Sequence, residues 1–147
     1  MTRNTKEIGN LTELQCITYL YKLGYQCSIP YGENSRYDLI ADIDGILIRI
    51  QVKTCTFKNN EENVIKFSCR SSRINAHGAV NRRYTSEEID YFATFYNGIC
   101  YLIPQSECST SKTLRFTPPK SGVTKGISFA KDYEASIQIN KIKEKNN

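Results

Sequence analysis

The fold is decided by residues 37–53, which read YDLIADIDGILIRIQVK. Two runs rich in isoleucine and leucine flank Asp44-Gly45, and an Asp-Gly pair between two apolar runs is the strongest short-range signal for a β-hairpin. The pattern therefore predicts two antiparallel strands, over 37–43 and 46–53. Because the turn has two residues, Ile43 lies opposite Ile46, which fixes the partner of every other residue in the hairpin.

The predicted pairing divides the side chains of the hairpin between two faces. One face is apolar and belongs in the core, and its members are Tyr37, Leu39, Ala41, Ile43, Ile46, Ile48, Ile50 and Val52. On the other face Asp38 lies directly opposite Gln51, and Lys53 follows on the same strand. Directly opposed Cβ atoms are about 4.5–5.5 Å apart, so a carboxylate, an amide oxygen and an ammonium group converge on one small patch.

A helix is predicted over residues 8–23, where apolar side chains recur at spacings of three and four and Gly24 provides a stop. Glu13 lies on the apolar stripe of this helix, because apolar residues follow it at helical spacing. A carboxylate in that position is costly to bury unless a partner compensates its charge. The alternative is that Glu13 marks the edge of the stripe and reaches water.

The remaining elements are predicted from shorter patterns. Residues 70–83 are polar and basic and are predicted to form a loop. Residues 86–92 are predicted to form a helix with Thr85 or Ser86 as its N-cap. Strands are predicted over 25–30, 63–69, 99–103 and 114–117, and a short segment at 130–134 leads to the lysine-rich end.

This order of helix and strands predicts an α/β fold with a central mixed sheet flanked by helices. The chain has 147 residues, which is enough for a single domain. We expect the core of this domain to cover about residues 5–135, with a basic C-terminal tail over 136–147.

Composition excludes several classes of protein. Hydrophobic residues make up 39% of the chain and charged residues 24%, which excludes a disordered tail or a collagen-like repeat. The sequence has no apolar run of the roughly 20 residues that span a bilayer, and it does not start with a secretory signal. We therefore expect a soluble, cytoplasmic protein. Its net charge of +5 is compatible with a polyanionic partner.

Metal-binding patterns give a more specific indication. The six cysteines include no CxxC pair and His77 is the only histidine, so structural zinc is not expected and the cysteines are interpreted as reduced core thiols. The oxygen atoms of Glu13, Asp38 and Gln51 are instead the hard ligands that Mg²⁺ prefers. Two interpretations stay open at this point: a metal-dependent phosphodiesterase, or a surface cluster of salt bridges around Lys53.

At these residues the chain resembles the PD-(D/E)XK nuclease superfamily. The resemblance rests on a helical acid (Glu13), an acid at the start of a hairpin (Asp38), and Gln51-Val52-Lys53 in the place of acid-x-Lys. Four longer stretches are similar to the homing endonucleases of this superfamily that group I introns encode: GENSRYDL (32–39), RIQVKT (49–54), YTSEEIDYFA (84–93) and CYLIP (100–104). The resemblance covers roughly residues 8–134.

Two positions depart from the superfamily pattern. Tyr37 stands where the superfamily has proline, a residue that takes no part in the chemistry. Gln51 replaces the second acid, so the site loses one negative charge and should hold a metal more weakly. In having glutamine at this position, the chain resembles the intron-encoded subgroup.

The resemblance implies a restriction-endonuclease-like fold and a Mg²⁺-dependent, site-specific endonuclease that hydrolyses phosphodiester bonds in double-stranded DNA. Asp38, Gln51 and the backbone carbonyl of Val52 would hold the divalent metal. Lys53 would orient the attacking water, and Glu13 would position Lys53 or a water molecule. Because one site cuts one strand of a duplex, a homodimer or homotetramer is expected.

Contacts with DNA are expected from the basic segment 70–83, which contains no acidic residue. Arginine and asparagine are the side chains that read guanine and adenine edges in the major groove. The alternative is a mobile, solvated loop. Arg36 is expected to contact the phosphate near the cut, because it lies beside Asp38. The residues expected to bind DNA are Arg36, Arg70, Arg73, Asn75, His77, Asn81, Arg82 and Arg83.

Other functions remain possible at this stage. A Holliday-junction resolvase or a restriction-type nuclease of the same fold would share the four catalytic residues. A catalytically decayed DNA-binding module would explain Gln51, although the intact Asp38 and Lys53 argue against it.

Overall fold

The computed structural model describes residues 3–147, apart from the side chains of residues 62 and 73–75. Its helices are α1 (Thr5–Lys22) and α2 (Ala135–Lys145), and its strands are β1 (Cys27–Ser28), β2 (Leu39–Ile43), β3 (Ile46–Val52), β4 (Thr56–Lys58), β5 (Glu61–Ser68), β6 (Arg70–Asn75), β7 (Gly78–Arg83), β8 (Tyr91–Tyr96), β9 (Ile99–Pro104) and β10 (Ser111–Arg115). Two 3₁₀ turns, Gln105–Glu107 and Ala130–Tyr133, precede β10 and α2. Within the described residues, neither helix is long and apolar enough to cross a membrane.

The central sheet is mixed and has the strand order β1-β2-β3-β8-β9. Strands β3 and β8 run parallel, and the other neighbours are antiparallel. The pairing of β2 with β3 has the predicted register, with Ile43 opposite Ile46. Asp44 and Gly45 have φ values of 53° and 94°, as a two-residue type I′ turn requires. The predicted α/β fold with a central mixed sheet is confirmed.

The two faces of the central sheet bury different cores. The apolar face of β2 and β3 packs with both helices, and this core consists of Cys16, Leu20, Leu39, Ala41, Ile43, Ile48, Ile50, Val52, Ala93, Cys100, Leu102, Ala135, Ile139 and Ile142. The opposite face of β8 and β9 packs on a second sheet with the strand order β10-β5-β4. Phe92 and Ile103 from the central sheet meet Ile65, Phe67 and Leu114 there.

Helix α1 begins at Thr5, earlier than the predicted residue 8, because Asn4 caps it. The Asn4 side chain accepts a hydrogen bond from the Glu7 amide (2.9 Å), and the Glu7 carboxylate accepts one from the Asn4 amide (3.3 Å). This capping box satisfies two amide groups that would otherwise lack partners at the helix start. The stop at Gly24 agrees with its φ of 100°.

The prediction of a loop over 70–83 is wrong. Strands β6 and β7 pair along their whole length in a separate two-stranded sheet, which we call the basic hairpin. Gly78 starts β7 with a φ of 110°. Every residue of β7 is exposed, so this strand buries no face and lacks the alternation of apolar and polar residues that reveals a half-buried strand.

The predicted helix over 86–92 is also wrong. The predicted start of the helix forms a single turn, in which the amide groups of Glu88 and Ile89 donate hydrogen bonds to the carbonyl of Thr85. The chain then enters β8 at Tyr91. The β-forming side chains of this strand pair with β3 and β9, and this tertiary pairing overrides the weak local preference for a helix.

Two smaller elements also differ from the sequence-based expectations. Strand β4 is absent from the predicted set, although the Asn59-Asn60 turn after it has positive φ at both residues, as tight hairpins require. Residues 136–147, predicted as a basic tail, fall largely within α2. Gln138, Ile139 and Ile142 of this helix are buried, so the segment packs on the domain core instead of extending into water.

Two residues of β3 test which side chains of this strand face the core. Ile50 is fully buried, whereas Leu47 on the same strand is 63% exposed. We expect Ile50→Ala to lower the free energy of unfolding by about 2–5 kcal/mol, because it leaves a cavity in the core. The control Leu47→Ala should change it by about 0.5 kcal/mol or less. Urea denaturation measures both values, and a larger loss for Leu47→Ala would contradict the register.

Candidate active site

The open end of the β2–β3 hairpin, where β2 begins and β3 ends, lies next to helix α1. Asp38 directly precedes β2 and is bound to β3 by two hydrogen bonds. Its amide donates to the carbonyl of Ile50 (2.8 Å), and its carboxylate accepts from the amide of Val52 (2.8 Å). The carboxylate is therefore held at the end of β3, where Gln51 and Lys53 lie.

Glu13 brings a second carboxyl group from α1. Burial, the negative charge of Asp38 and a hydrogen bond with Asp38 raise the pKa of Glu13 to about 7. Burial also raises the pKa of Asp38, although the Val52 amide, the Glu13 side chain and the charge of Lys53 favour its ionised form. Near neutral pH Glu13 is therefore partly protonated, and it lies within hydrogen-bond distance of the Asp38 carboxyl group.

A hydroxyl pair anchors α1 at this position. The side chain of Thr12, the neighbour of Glu13, is hydrogen-bonded to the side chain of Thr54, the neighbour of Lys53, at 3.0 Å. Thr12 is buried, and its hydroxyl also donates to the carbonyl of Ile8 (3.0 Å). This contact ties the helix that carries Glu13 to the strand end that carries Lys53.

The oxygen atoms at the site suit a hard divalent cation. Gln51 lies beside the backbone carbonyl of Val52, with 3.5 Å between its amide nitrogen and that oxygen. In the described part of the chain no three His, Cys, Asp or Glu side chains form a metal cluster, so a metal here depends on the Gln51 amide and the Val52 carbonyl beside the carboxylates of Asp38 and Glu13. Carboxylate, amide and carbonyl oxygens are hard donors, so the donor set fits Mg²⁺.

Lys53 extends from the end of β3 to the basic hairpin. Its ammonium donates a hydrogen bond to the carbonyl of Arg70 (2.8 Å) and lies 5.2 Å from the centre of the Tyr84 ring. Burial lowers the pKa of Lys53, although the charge of Asp38 favours the protonated form. The four residues predicted to be catalytic thus lie together, and the basic hairpin contacts one of them.

Arg36 is bound to the base of the basic hairpin. Its guanidinium lies 4.0 Å from the centre of the Tyr84 ring. It donates hydrogen bonds to the Glu88 carboxylate (2.9 Å), the Ser71 hydroxyl (2.7 Å) and the Arg83 carbonyl (2.9 Å). All three of its nitrogen atoms therefore have protein partners, and these bonds engage three of the five N–H groups of the guanidinium.

The other residues predicted to bind DNA lie on the basic hairpin. Arg82, Arg83, Asn81 and His77 are exposed, and Arg70 is partly buried at the base. The predicted contacts of Arg73 and Asn75 concern side chains that lie outside the described residues.

Sequence reasoning missed the residues that fix the turn before β8. Arg49 forms an ion pair with Asp90 (2.9 Å) and donates to the carbonyls of Ser86 and Glu87. The Asp90 carboxylate also accepts the Arg49 amide (2.8 Å). The available signal was Arg49 itself, a charged side chain on the polar face of β3 for which the hairpin pattern supplied no partner.

Comparison with known proteins agrees with this geometry. A family model described as PD-(D/E)XK endonuclease matches residues 3–136. The fold is similar to the solved structure of a bacterial homing endonuclease, I-Ssp6803I, with 20% sequence identity, 99% coverage of both chains and a TM-score of 0.78. No curated protein matches the sequence. The two similarities confirm the resemblance and the fold class that the sequence indicated.

The raised pKa of Glu13 can be measured in the metal-free protein. We expect Glu13 to titrate at about pH 7, because burial and Asp38 disfavour its ionised form. Asp38→Asn removes the neighbouring negative charge and should lower the pKa of Glu13. NMR titration of the ¹³C-labelled side-chain carboxyl carbons measures both values. A Glu13 pKa that is ordinary, or that Asp38→Asn leaves unchanged, would show that the two groups do not interact.

Proposed function

The chain belongs to the PD-(D/E)XK endonuclease family, and we propose that it is a Mg²⁺-dependent, site-specific endonuclease that cuts double-stranded DNA, of the homing type. The observation that carries the proposal is the meeting of Glu13, Asp38, Gln51 and Lys53 at the open end of the β2–β3 hairpin. The family supports hydrolysis of nucleic acid, and the similarity of the whole fold to a bacterial homing endonuclease favours a rare-cutting enzyme.

Asp38, Gln51 and the Val52 carbonyl would hold the ion. A bound Mg²⁺ would lower the pKa of a coordinated water and offset charge on the scissile phosphate. The hydrogen bond from the Val52 amide fixes the Asp38 carboxylate beside the Val52 carbonyl, so these donors need little rearrangement. Because Gln51 is neutral, the site depends on Asp38 and Glu13 for negative charge.

Lys53 and Glu13 act on the reacting groups. The Lys53 ammonium orients the attacking water and compensates negative charge on the phosphate oxygens. Its hydrogen bond to the Arg70 carbonyl holds the flexible side chain close to Asp38. Glu13 holds a water molecule or Lys53 in place from the side of α1.

The basic hairpin is proposed as the part that contacts DNA. A two-stranded β-ribbon fits the major groove of B-DNA, where base edges carry a unique pattern of donors and acceptors. Residues 70–83 contain no acid, and Asn81, Arg82 and Arg83 are exposed on β7. Arg82 and Arg83 would contribute attraction to phosphates, and Asn81 is suited to an adenine edge.

We further propose that residues 1–147 form one nuclease domain that acts as a homodimer or homotetramer. The four proposed catalytic residues supply one site per chain. The two strands of a duplex are cut at two phosphates, and two copies related by symmetry would bring one site to each.

Removal of the Lys53 ammonium tests the catalytic assignment. We expect Lys53→Ala to lower the rate of Mg²⁺-dependent cleavage by about 10²–10³-fold, as loss of one charge-stabilising group does in other enzymes. Lys66→Ala is the matched control, because Lys66 is exposed on β5. The assay uses a plasmid library of candidate targets with Mg²⁺, Ca²⁺ or EDTA, since an arbitrary plasmid need not contain a rare site.

The outcomes of this assay distinguish the candidate functions. Cleavage at one long site that needs Mg²⁺ and Lys53 supports the proposal. Cleavage of branched DNA alone would indicate a resolvase. Binding without cleavage under any metal would indicate a DNA-binding module, and equal activity of Lys53→Ala and Lys66→Ala would refute the role of Lys53.

Asn81 tests the proposed reading of bases. We expect Asn81→Ala to weaken binding to the selected target by about 1–3 kcal/mol, which is the discrimination given by one bidentate base contact. Binding to unrelated DNA should stay unchanged. Fluorescence anisotropy in Ca²⁺ measures both affinities, with Asn140→Ala on the exposed side of α2 as a control. An equal loss on every sequence would mean that Asn81 contacts the backbone and reads no base.

A further inference from the structure

We propose that Glu88 is a positioning residue that fixes the basic hairpin relative to the catalytic residues. This inference rests on the proposed function, since it assigns the hairpin to DNA and Lys53 to cleavage. Glu88 lies in the turn between β7 and β8, and its side chain is 16% exposed. It lies within five residues of a hairpin that itself contains no acid, which is an unexpected place for a negative charge near DNA.

The Glu88 carboxylate joins three segments of the chain. Its Oε2 atom accepts hydrogen bonds from Nε of Arg36 and from Nη2 of Arg82, both at 2.9 Å. Its Oε1 atom accepts the amide of Thr85 at 3.0 Å. Burial raises the pKa of Glu88, but the Thr85 amide and the charges of Arg36 and Arg82 outweigh it and lower the pKa overall. The carboxylate therefore stays ionised and keeps both arginines in place.

Arg36 carries this contact to the active site. Besides Glu88 it binds the Ser71 hydroxyl and the Arg83 carbonyl, which lie on the two strands at the base of the hairpin. Arg36 also precedes Asp38 closely in the chain. The position of the hairpin base is thereby linked to the segment that presents the Asp38 carboxylate.

The first residue pair of the hairpin is linked to Lys53 as well. Arg70 and Arg83 pair at the base of β6 and β7. The Arg70 carbonyl accepts the Lys53 ammonium at 2.8 Å, and the Arg83 carbonyl accepts Arg36 at 2.9 Å. A change in the orientation of this pair would move the acceptor that holds the ammonium.

The hairpin needs such a constraint because its two strands pair only with each other in the described sheets. An isolated two-stranded hairpin is marginal in water, and no β-ladder fixes its angle to the central sheet. The contacts of Arg36, Glu88 and Lys53 at its base supply this constraint.

A positioning role predicts opposite effects on binding and cleavage. Glu88→Gln removes a negative charge and releases Arg82, so affinity for DNA should stay equal or increase. Cleavage of bound DNA should slow by about 10–100-fold, because small errors in the placement of reacting groups are costly. Glu87→Gln is the matched control, since Glu87 is the exposed neighbour and carries the same charge.

The experiment combines three measurements on the full chain. Affinity is measured in Ca²⁺ and single-turnover cleavage in Mg²⁺, for wild type, Glu88→Gln, Glu87→Gln and the charge-restoring Glu88→Asp. Hydrogen exchange of peptides that cover 70–83 reports on the hairpin without any activity. We expect slower cleavage and severalfold faster exchange in Glu88→Gln alone, with partial recovery of both in Glu88→Asp.

Several results would overturn the inference. The inference fails if Glu88→Gln cleaves DNA at the wild-type rate, if it loses affinity and cleavage rate equally, or if hydrogen exchange of the hairpin is unchanged. If Glu88→Gln does not fold, Ser71→Ala replaces it, because this change removes a single hydrogen bond of Arg36. Ser71→Ala should leave the affinity for DNA unchanged and slow cleavage by a smaller factor than Glu88→Gln. Cleavage by Ser71→Ala at the wild-type rate would count against the role. If the wild type cuts no DNA, the proposed function fails, while faster exchange in Glu88→Gln would still support the positioning role.

Discussion

The structure depends on the pairing register of β2 with β3, which the Asp44-Gly45 turn fixes. In a strand successive side chains alternate between faces, so a shift of one residue would move every apolar side chain of the hairpin to the wrong side. With the observed register, residues such as Ile48 and Ile50 are buried beneath both helices. The same register leaves Asp38 and Gln51 off the apolar face, at the end of the hairpin that α1 reaches with Glu13. Packing of the core and assembly of the site are therefore consequences of one turn.

The site concentrates ionisable groups that are costly to bury. Burial raises the pKa values of the neighbouring Glu13 and Asp38 carboxyl groups and lowers the pKa of Lys53. Each group is held by a neighbour that the core positions, namely Val52 for Asp38 and the hairpin base for Lys53. The apolar packing behind β3 offsets the unfavourable electrostatics, which is a common arrangement at functional sites.

Sequence alone predicted the parts of the fold that have a buried face. The β2–β3 hairpin, helix α1 and strand β9 all carry an apolar pattern, and Glu13 was found because it interrupts one. The basic hairpin could not be found in this way, because β7 buries nothing. The turn at Thr85 has local helix signals that β8 overrides through pairing with β3. The roles of Tyr84 and Glu88 were missed because Arg36, which contacts both, lies on a distant segment, and pairing across such distances leaves no periodic trace in one sequence.

The neutral side chain of Gln51 is consistent with a site that already contains the carboxyl groups of Glu13 and Asp38. An acid at this position would add a third carboxyl group beside Glu13 and Asp38, whose pKa values burial already raises, and like charges at short distance raise the cost of ionisation further. A neutral amide keeps an oxygen donor at the same place without that repulsion, so the unliganded site stays compatible with the folded hairpin. The consequence is weaker attraction for a cation, which makes Glu13 more important. The carboxyl group on α1 would then be the second source of negative charge, and the Thr12–Thr54 hydrogen bond that holds α1 against the end of β3 would help the proposed site to take up a metal.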